Sequence, residues 1–466
     1  MGKLIGGRLA LSAVAMLALG GCASTSIFTS YPQQLQPIKL QIENKQYTQA
    51  QVELEKHRED ADKILYMMER ARTAQLGKDF KTSIEDFKQV IDAIAVNEDK
   101  AKITLSGAAA QSSSLLTNDN AIPYEGEGYE RVFVHHFQAL NYLFLKDVEG
   151  ALVEVRRANL EQQAALEAHE KEVAAAEEKG REYADKNKGF MDAFAAMDAV
   201  AGKVKNSFQN AYTFYTSGVI YEIMGSHNDA YIDYKKALEI FPDNVYVQRD
   251  VLRLAKRLGM TDDYELYKKR FGAEATAPAK DEGEVIVLFE HGYAPVKLET
   301  HVPIFTGQSV QKVAFPIYPG IWQDTSALNV AIEGGKTLGD TSPIAYVQSM
   351  ATKALQEGLP AMLTRQVLRV VAKKEMSEQA GKASPWAKLA TDIYNIASEN
   401  ADRRSWLTLP NDAQILRSTL APGEYQLRLS NGKAAGTIKV KVEPGKKTVI
   451  RAVSTEKTLH TDAIVM

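Results

Sequence analysis

Cysteine and histidine are both scarce in this chain. Cys22 is the only cysteine among 466 residues, which excludes disulfides, thiolate zinc sites and iron–sulfur clusters within one chain. Of the eight histidines, His135 and His136 are adjacent, so on a helix they would point about 100° apart and could not share a metal. The sequence therefore predicts no metal site and no cofactor.

The chain also lacks a strong charge excess and catalytic motifs. Lys and Arg number 56 against 59 Asp and Glu, a net charge of −3, which gives no sign of nucleic-acid binding. No Gly-x-Ser-x-Gly occurs. Gly335-Lys336-Thr337 ends like a phosphate-binding loop, but Val330 stands where that loop needs its first glycine. A polar turn between two strands is the interpretation that we prefer there.

The one pronounced apolar run lies at the N-terminus. Lys3 and Arg8 precede the apolar residues Leu9 to Leu19, which are too few for the roughly 20 residues that a membrane span needs. Small residues follow, ending in Leu19-Gly20-Gly21-Cys22. This order predicts a cleavable signal peptide over residues 1–21. Its removal takes away two positive charges, so the net charge of −3 becomes −5.

The four residues that end in Cys22 resemble the lipobox of bacterial lipoproteins. The resemblance implies that the Cys22 thiol is acylated, with palmitate-type chains, and anchors the mature protein to a membrane. An incidental thiol in an ordinary secretory signal is the alternative. Because Ala23 rather than Asp follows the cysteine, the resemblance implies the periplasmic face of the outer membrane. Residues 22–37 are rich in Ser, Thr, Pro and Gln and predict a lipidated tether.

An internal repeat is clearest between Gly218 and Pro242. Small residues at Gly218, Ala230 and Ala237 alternate with aromatic ones at Tyr221 and Tyr234, and this pattern closely matches the tetratricopeptide repeat, a helical hairpin. Weaker copies lie at 139–158 and 71–91, and a capping helical pair is predicted at 251–271, starting from Asp243 or Asn244. We therefore expect a helical solenoid over residues 38–272, with a concave face.

Two further helical segments are predicted within that region. Asn159 to Asn187 is rich in Ala, Glu and Lys and predicts a solvated, projecting helix. Apolar residues from Phe190 to Tyr215 follow at spacings of three and four, which predicts one helix with an apolar face. Two roles remain open for that face: it packs in the core, or it lines a groove that binds a partner.

An α+β domain is predicted after a linker at residues 273–283 and covers residues 284–466. Strand-like segments fall in 284–335 and 405–456, and they flank a helical part at 343–403. Asn431-Gly432 and Pro444-Gly445 are typical hairpin turns, so we expect an antiparallel meander or sandwich built from both β stretches. The fold class is thus mostly α: a TPR-like solenoid followed by an α+β domain.

Several sequence segments are more specific than the general pattern of a helical repeat. They are Leu116 to Asp119, Tyr124 to Glu130, His135 to Tyr142, Val153 to Asn159 and Ser405 to Pro410. Together they resemble an uncharacterised Gram-negative family of tetratricopeptide-like outer-membrane lipoproteins. That family has no settled activity, and its members' gene neighbours imply cell-envelope assembly only by association.

Candidate site residues come from two places. Asn118, Asp119 and Tyr124 follow a loop rich in Gly, Ala and Ser, which suits a solvated connection or a peptide-binding lip. Arg156 and Arg157 follow an expected repeat turn, so one of them should face the repeat interior, paired with Glu154 or Asp119, or form a clamp for a peptide terminus.

Two functions are consistent with these features. The first is a protein-binding scaffold, not an enzyme, whose repeat groove takes an extended peptide or helix of an envelope protein, such as an outer-membrane lipoprotein or a peptidoglycan-synthesis factor. The alternative is a peptidoglycan or glycan hydrolase that uses Asp119 and Glu127, since such enzymes need two carboxyls.

Overall fold

The computed structural model describes residues 29–105, 119–186, 189–305, 310–384, 386, 389 and 400–466. Cys22, the signal peptide and Asn118 lie outside them. Helical hairpins occupy the N-terminal part. Their helices, in chain order, are α1 (Tyr31–Glu43), α2 (Tyr47–Glu55), α3 (Lys63–Leu76), α4 (Phe80–Leu105), α5 (Gly128–Phe144), α6 (Val148–Lys186), the short α7 (Asp198–Ala201), α8 (Ala211–Ile223), α9 (His227–Ile240), α10 (Val245–Arg257) and α11 (Thr261–Phe271).

The predicted repeats are confirmed as helical hairpins, formed by α3 with α4, α5 with α6, α8 with α9 and α10 with α11. Gly218 on α8 faces Tyr234 on α9 so closely that a Cβ at position 218 would overlap the tyrosine ring. Gly150 and Tyr142 have the same relation in the weaker copy. A small residue thus admits the aromatic ring of the partner helix, which is the packing that the repeat pattern predicts.

The predicted helix start at Asn244 is also confirmed. Its side-chain oxygen accepts hydrogen bonds from the backbone N–H groups of Tyr246, at 3.0 Å, and Val247, at 3.1 Å. Its amide nitrogen donates to the carbonyl oxygens of Ser342 and Pro343. One side chain therefore caps α10 and holds it to the C-terminal region.

The prediction of one helix from 190 to 215 is wrong. A 3-10 helix at Met191–Met197 and the four-residue α7 are followed by irregular chain up to Asn210, which caps α8. The apolar residues are nevertheless buried: the rings of Phe190 and Phe194 lie 5.1 and 6.1 Å from that of Phe315. These regularly spaced apolar residues therefore pack against the hairpin of residues 298–317 in the C-terminal region, although they do not form a continuous helix.

Strands and one long helix make up the C-terminal part. They are β1 (Gly283–His291), β2 (Leu298–Phe305), β3 (Val310–Ile317), β4 (Asn329–Ile332), β5 (Thr337–Asp340), β6 (Ser342–Tyr346), α12 (Val347–Ala383), β7 (Asp412–Leu420), β8 (Gly423–Ser430), β9 (Ala435–Val442), β10 (Lys447–Ser454) and β11 (Leu459–Val465). None of the helices in the described residues is both long and apolar enough to cross a membrane.

The two β stretches form common sheets, as predicted. A five-stranded sheet has the order β11-β10-β1-β7-β6, a four-stranded sheet has the order β5-β4-β8-β9, and β2 pairs with β3. Strand β1 lies in the centre, every one of its nine residues is buried, and it runs parallel to β10 while the other pairs are antiparallel. The second sheet contacts the first through β9 against β11 and β10. The architecture is therefore sandwich-like, but it is not purely antiparallel.

The predicted boundaries of the C-terminal elements need correction. Residues 343–346 belong to β6 and pair with β7, so α12 begins only at Val347. Residues 400–403, placed in the helical part, have no regular secondary structure. Strand β11 lies beyond the predicted end at 456. The turn at 333–336 does join two strands, as expected, and the linker at 273–279 has no helix or strand. The division into two independent domains stays a prediction.

Candidate functional site

The first helices of the hairpins, α3, α5, α8 and α10, line one face of the repeats, which is where the sequence predicts a groove for an extended polypeptide. In the structure residues 404–410 of the same chain lie against α3 and α5 in this groove, whereas α8 and α10 pair with strand β7. Trp406, Leu407 and Leu409 are fully buried there. We call residues 404–410 the internal segment. The first-helix face is therefore occupied by the chain itself, which corrects the expectation of an open groove.

Two carboxylates on the first helices hold the main chain of the internal segment. Glu69 on α3 accepts hydrogen bonds from the backbone N–H groups of Leu407, at 2.7 Å, and Thr408, at 3.1 Å. It also accepts from the hydroxyls of Thr408 and Tyr31. Because these donors surround a completely buried carboxylate, they offset part of its lost hydration. Burial raises the pKa of Glu69 to about 7, and the donors oppose that rise.

Glu130 on α5 has the same role one hairpin further along. It accepts from the backbone N–H of Trp406 at 2.8 Å and from the hydroxyl of Tyr124, and it is fully buried. Burial, reinforced by the charge of Glu127, raises its pKa. Residues 406–409 form a turn, in which the backbone N–H of Leu409 donates to the carbonyl oxygen of Trp406 at 3.4 Å, so the two carboxylates hold the main chain of a turn.

Arg404 fixes the start of the internal segment. Its guanidinium forms ion pairs with Asp62 and with Asp402, the latter at 2.7 Å. It also donates to the carbonyl oxygens of Asp119, at 3.1 Å, and Ile122, at 3.0 Å. A buried guanidinium needs such partners because an unpaired charge is costly there. The segment is thus held at its start by charge and along its length by main-chain bonds.

A buried ion network joins the last hairpins to the sheet. Arg417 on β7 pairs with Glu222 on α8 at 2.8 Å, with Asp250 on α10 at 3.1 Å and with Glu284 on β1 at 2.8 Å. Arg253 and Lys447 complete the network, giving three cations for three carboxylates. Although burial opposes ionisation, Arg417 and Arg253 hold the pKa of Glu222 well below its usual range. Both the internal segment and these ion pairs therefore fill this face of the repeats.

A second buried pair, Arg72 with Glu290, links α3 to β1. Beside it lies His136 on α5, whose ring nitrogens are buried and have no hydrogen-bond partner among the residues that the structure describes. Its ring centroid lies 4.5 Å from that of Tyr212. Burial, with a further contribution from Arg72, lowers the pKa of His136 to about 3. The histidine is thus a neutral part of an aromatic core.

His136 predicts an acid-sensitive stability. The folded state keeps this ring neutral, whereas the unfolded chain binds a proton below about pH 6.5. The neutral His136 ring therefore contributes to the free energy of unfolding in full above pH 6.5, and this contribution is lost as the pH falls towards 3. Between pH 7 and pH 5 we expect His136→Phe to lose about 2 kcal/mol less unfolding free energy than the wild type, measured by urea denaturation. An equal loss in both proteins would contradict this. His301→Phe, at an exposed position, is the control.

The predicted site residues separate into two groups. Asp119 and Tyr124 come together around Arg404: the Asp119 carboxylate pairs with Arg369 at 2.7 Å, and Arg404 lies over the Tyr124 ring, 5.6 Å from its centroid. Asn118 lies outside the described residues.

Arg156 and Arg157 are both exposed, so the expectation that one of them is buried is wrong. Val155 and Ala158 occupy the inward positions, and the half-exposed Arg157 pairs at 2.7 Å with Glu154, whose side chain is buried.

The carboxylates of the hydrolase alternative are both engaged. Asp119 is shared by Arg369 and, at 3.7 Å, Arg365. Glu127 caps the start of α5 and lies 3.8 Å from the ammonium of Lys297. Among the described residues, no group of three or more His, Cys, Asp and Glu side chains could hold a metal ion. The geometry gives Asp119 and Glu127 a role in ion pairs and helix capping.

Sequence reasoning missed the residues that matter most in the groove: Glu69, Glu130, Arg72, Glu222 and Arg404. The available signal was a charged residue on the apolar face of a first helix, as in Met67-Met68-Glu69 and Tyr129-Glu130. Such a charge needs a buried partner, and here the partners come from distant parts of the chain.

Comparisons with known proteins give only low-scoring structural similarities. No protein-family model matches the chain, and no curated protein matches it. A crystal structure of MamA is 12% identical and covers 49% of this chain and 89% of that chain, with a TM-score of 0.27. The TPR2AB-domain:pHSP90-complex of yeast Sti1 is 14% identical and covers 52% of this chain and 92% of that chain, with a TM-score of 0.20. At these scores the repeat assignment rests on the hairpins described above.

Proposed function

We propose that this protein is a lipid-anchored scaffold on the periplasmic face of the outer membrane, which binds another envelope protein and acts in peptidoglycan synthesis or secretion rather than as an enzyme. The observation that carries the scaffold proposal is the groove itself. Its helical hairpins hold a turn-forming segment of polypeptide by main-chain bonds to Glu69 and Glu130. The anchor rests on Cys22 and the residues before it.

Because the internal segment and strand β7 occupy the first-helix face, a partner binds to exposed residues of the second helices in this proposal. Arg156 and Arg157 on α6 are exposed and can form a clamp for a partner, whereas Asp119 and Tyr124 support Arg404 from within. The proposal therefore keeps the two arginines as partner-binding residues and gives the other two a structural role.

Affinity capture from detergent-solubilised envelopes tests this function. We expect the wild-type chain to recover an envelope protein, to incorporate labelled palmitate and to fractionate with outer membranes. Cys22→Ser should appear in the soluble periplasmic fraction. Replacing Arg156 and Arg157 with glutamine should weaken capture and change thermal stability little, because both arginines are exposed and Glu154 keeps its bond to His135.

A muropeptide-release assay with the purified protein separates the scaffold from the hydrolase. We expect no release. Release that disappears in Asp119→Ala or Glu127→Ala, without loss of folding by circular dichroism, would overturn the scaffold proposal in favour of the enzyme. Failure of wild-type capture to recover any envelope protein would also overturn it.

A further inference from the structure

A cavity of about 340 Å³ lies where the repeats meet the C-terminal region. One side of its wall is apolar and aromatic, and it is formed by Ile240, Phe241, Ile344, Tyr346 and Met350 from the end of α9, strand β6 and the start of α12. The other side is the irregular chain at residues 202–209, which is mostly polar. The Tyr346 ring contacts both Phe241 and Trp322, at centroid distances of 5.2 and 5.0 Å. This junction cavity has the size of a site for one bulky side chain or a small ligand.

A second, larger depression of about 780 Å³ lies between α9 and α11. We call it the outer groove. Lys205 lines both it and the junction cavity, so the two are adjacent. Ile232 and Met260 in its wall are 52% and 42% exposed, and α11 has no buried residue along its whole length. The last hairpin thus leaves apolar side chains uncovered next to a cavity that is already formed.

The charges along this path favour an acidic ligand. Lys203 and Lys205 stand at the junction cavity, where the Lys203 ammonium lies 5.9 Å from the centroid of the Trp322 ring. The outer groove adds Lys235, Lys236 and Arg270. Its acidic residues are Glu239 and Asp263, and Asp263 already accepts hydrogen bonds from Tyr231, at 2.7 Å, and Lys235, at 2.8 Å. Cations therefore remain in excess along the two cavities.

We propose that the junction cavity and the outer groove together bind an extended acidic segment of a partner protein, with one bulky apolar side chain in the junction cavity. The inference rests on the proposed scaffold function and names its docking surface and the chemistry of its partner. A surface of two adjacent cavities suits a polypeptide: the apolar side of the junction cavity supplies an anchor, and the lysines select carboxylates along the bound segment. The surface lies outside the first-helix groove, so it is accessible while the internal segment stays bound.

Fluorescence anisotropy with synthetic peptides tests this proposal on the full chain in detergent. The probe is a peptide of alternating Glu and Ser around one central Leu. We expect saturable binding, loss of binding when Lys replaces each Glu, and weakening of about fivefold or more when Ser replaces the Leu. Lys203→Glu combined with Lys205→Glu should weaken binding by about tenfold or more. Lys336→Glu combined with Lys439→Glu makes the same charge change on the exposed face of the second sheet and should leave binding unchanged.

Each opposite result overturns the proposal: no binding of the acidic peptide, equal binding of the lysine copy, or no effect of the Lys203 and Lys205 changes in variants whose melting temperature is unchanged. Binding of phosphatidylglycerol vesicles with the same lysine dependence, and without peptide binding, would assign the surface to a lipid instead. If capture recovers an envelope protein equally well with the Lys203 and Lys205 variant, the scaffold function stands and this docking surface fails.

Discussion

Replacing Arg417 with methionine should lower the free energy of unfolding by about 3–5 kcal/mol, because it leaves buried carboxylates without their shared cation. Arg417 contacts Glu222, Asp250 and Glu284, which come from two hairpins and the central strand. Methionine keeps much of the side-chain volume, so the loss measures the charge rather than a cavity. Urea denaturation followed by circular dichroism gives the value.

Arg58→Met is the matched control for that substitution. Arg58 pairs with Glu55 at 2.7 Å, and the two side chains are 36% and 39% exposed. Exposed pairs contribute about 0–1 kcal/mol, so this variant should unfold almost like the wild type. Equal effects of the two substitutions would mean that the network around Arg417 does not join the repeats to the sheet.

Glu69→Gln should release the internal segment from α3. The amide supplies one acceptor oxygen where the carboxylate supplied two, and its nitrogen would face donors from Leu407, Thr408 or Tyr31. Each buried donor left without an acceptor costs about 1–3 kcal/mol, so with two such donors we expect a loss of about 2–6 kcal/mol. Denaturation measures the total, and protease cleavage near Trp406 reports local release.

Glu53→Gln is the control for this change. Glu53 on α2 pairs with Lys56, and its side chain is 46% exposed. The same chemical change there should alter the unfolding free energy by less than about 0.5 kcal/mol. If Glu69→Gln were as mild, the carboxylate would not be what holds the internal segment.

Local features of the fold could be predicted where neighbours in sequence are neighbours in space. Gly218 and Tyr234 belong to one hairpin, and Asn244 caps the helix that follows it directly. Gly432 and Gly445 have φ values of 84° and 67°, which the turn sequences before them require. These positions depend on backbone conformation and short-range packing, and a single sequence contains both kinds of information.

Long-range pairing could not be predicted in the same way. Strand β10 lies parallel to β1, although most of the C-terminal region separates them in sequence, and nothing in either strand specifies the other. Glu69 on α3 could equally have been a solvated charge. Its role became visible only with Leu407 and Thr408 beside it. The break at Gly202 and Asn206 had a local signal, but the regular apolar spacing outweighed it.

Hydrogen exchange at the amides of Trp406, Leu407 and Thr408 tests the central claim most directly. These N–H groups donate to Glu130 and Glu69 inside the groove. We expect them to exchange as slowly as the amides of the buried strand β1, because both open only when the fold opens. Exchange as fast as in the exposed linker at residues 273–279 would contradict the claim that the helical repeats hold a segment of their own chain.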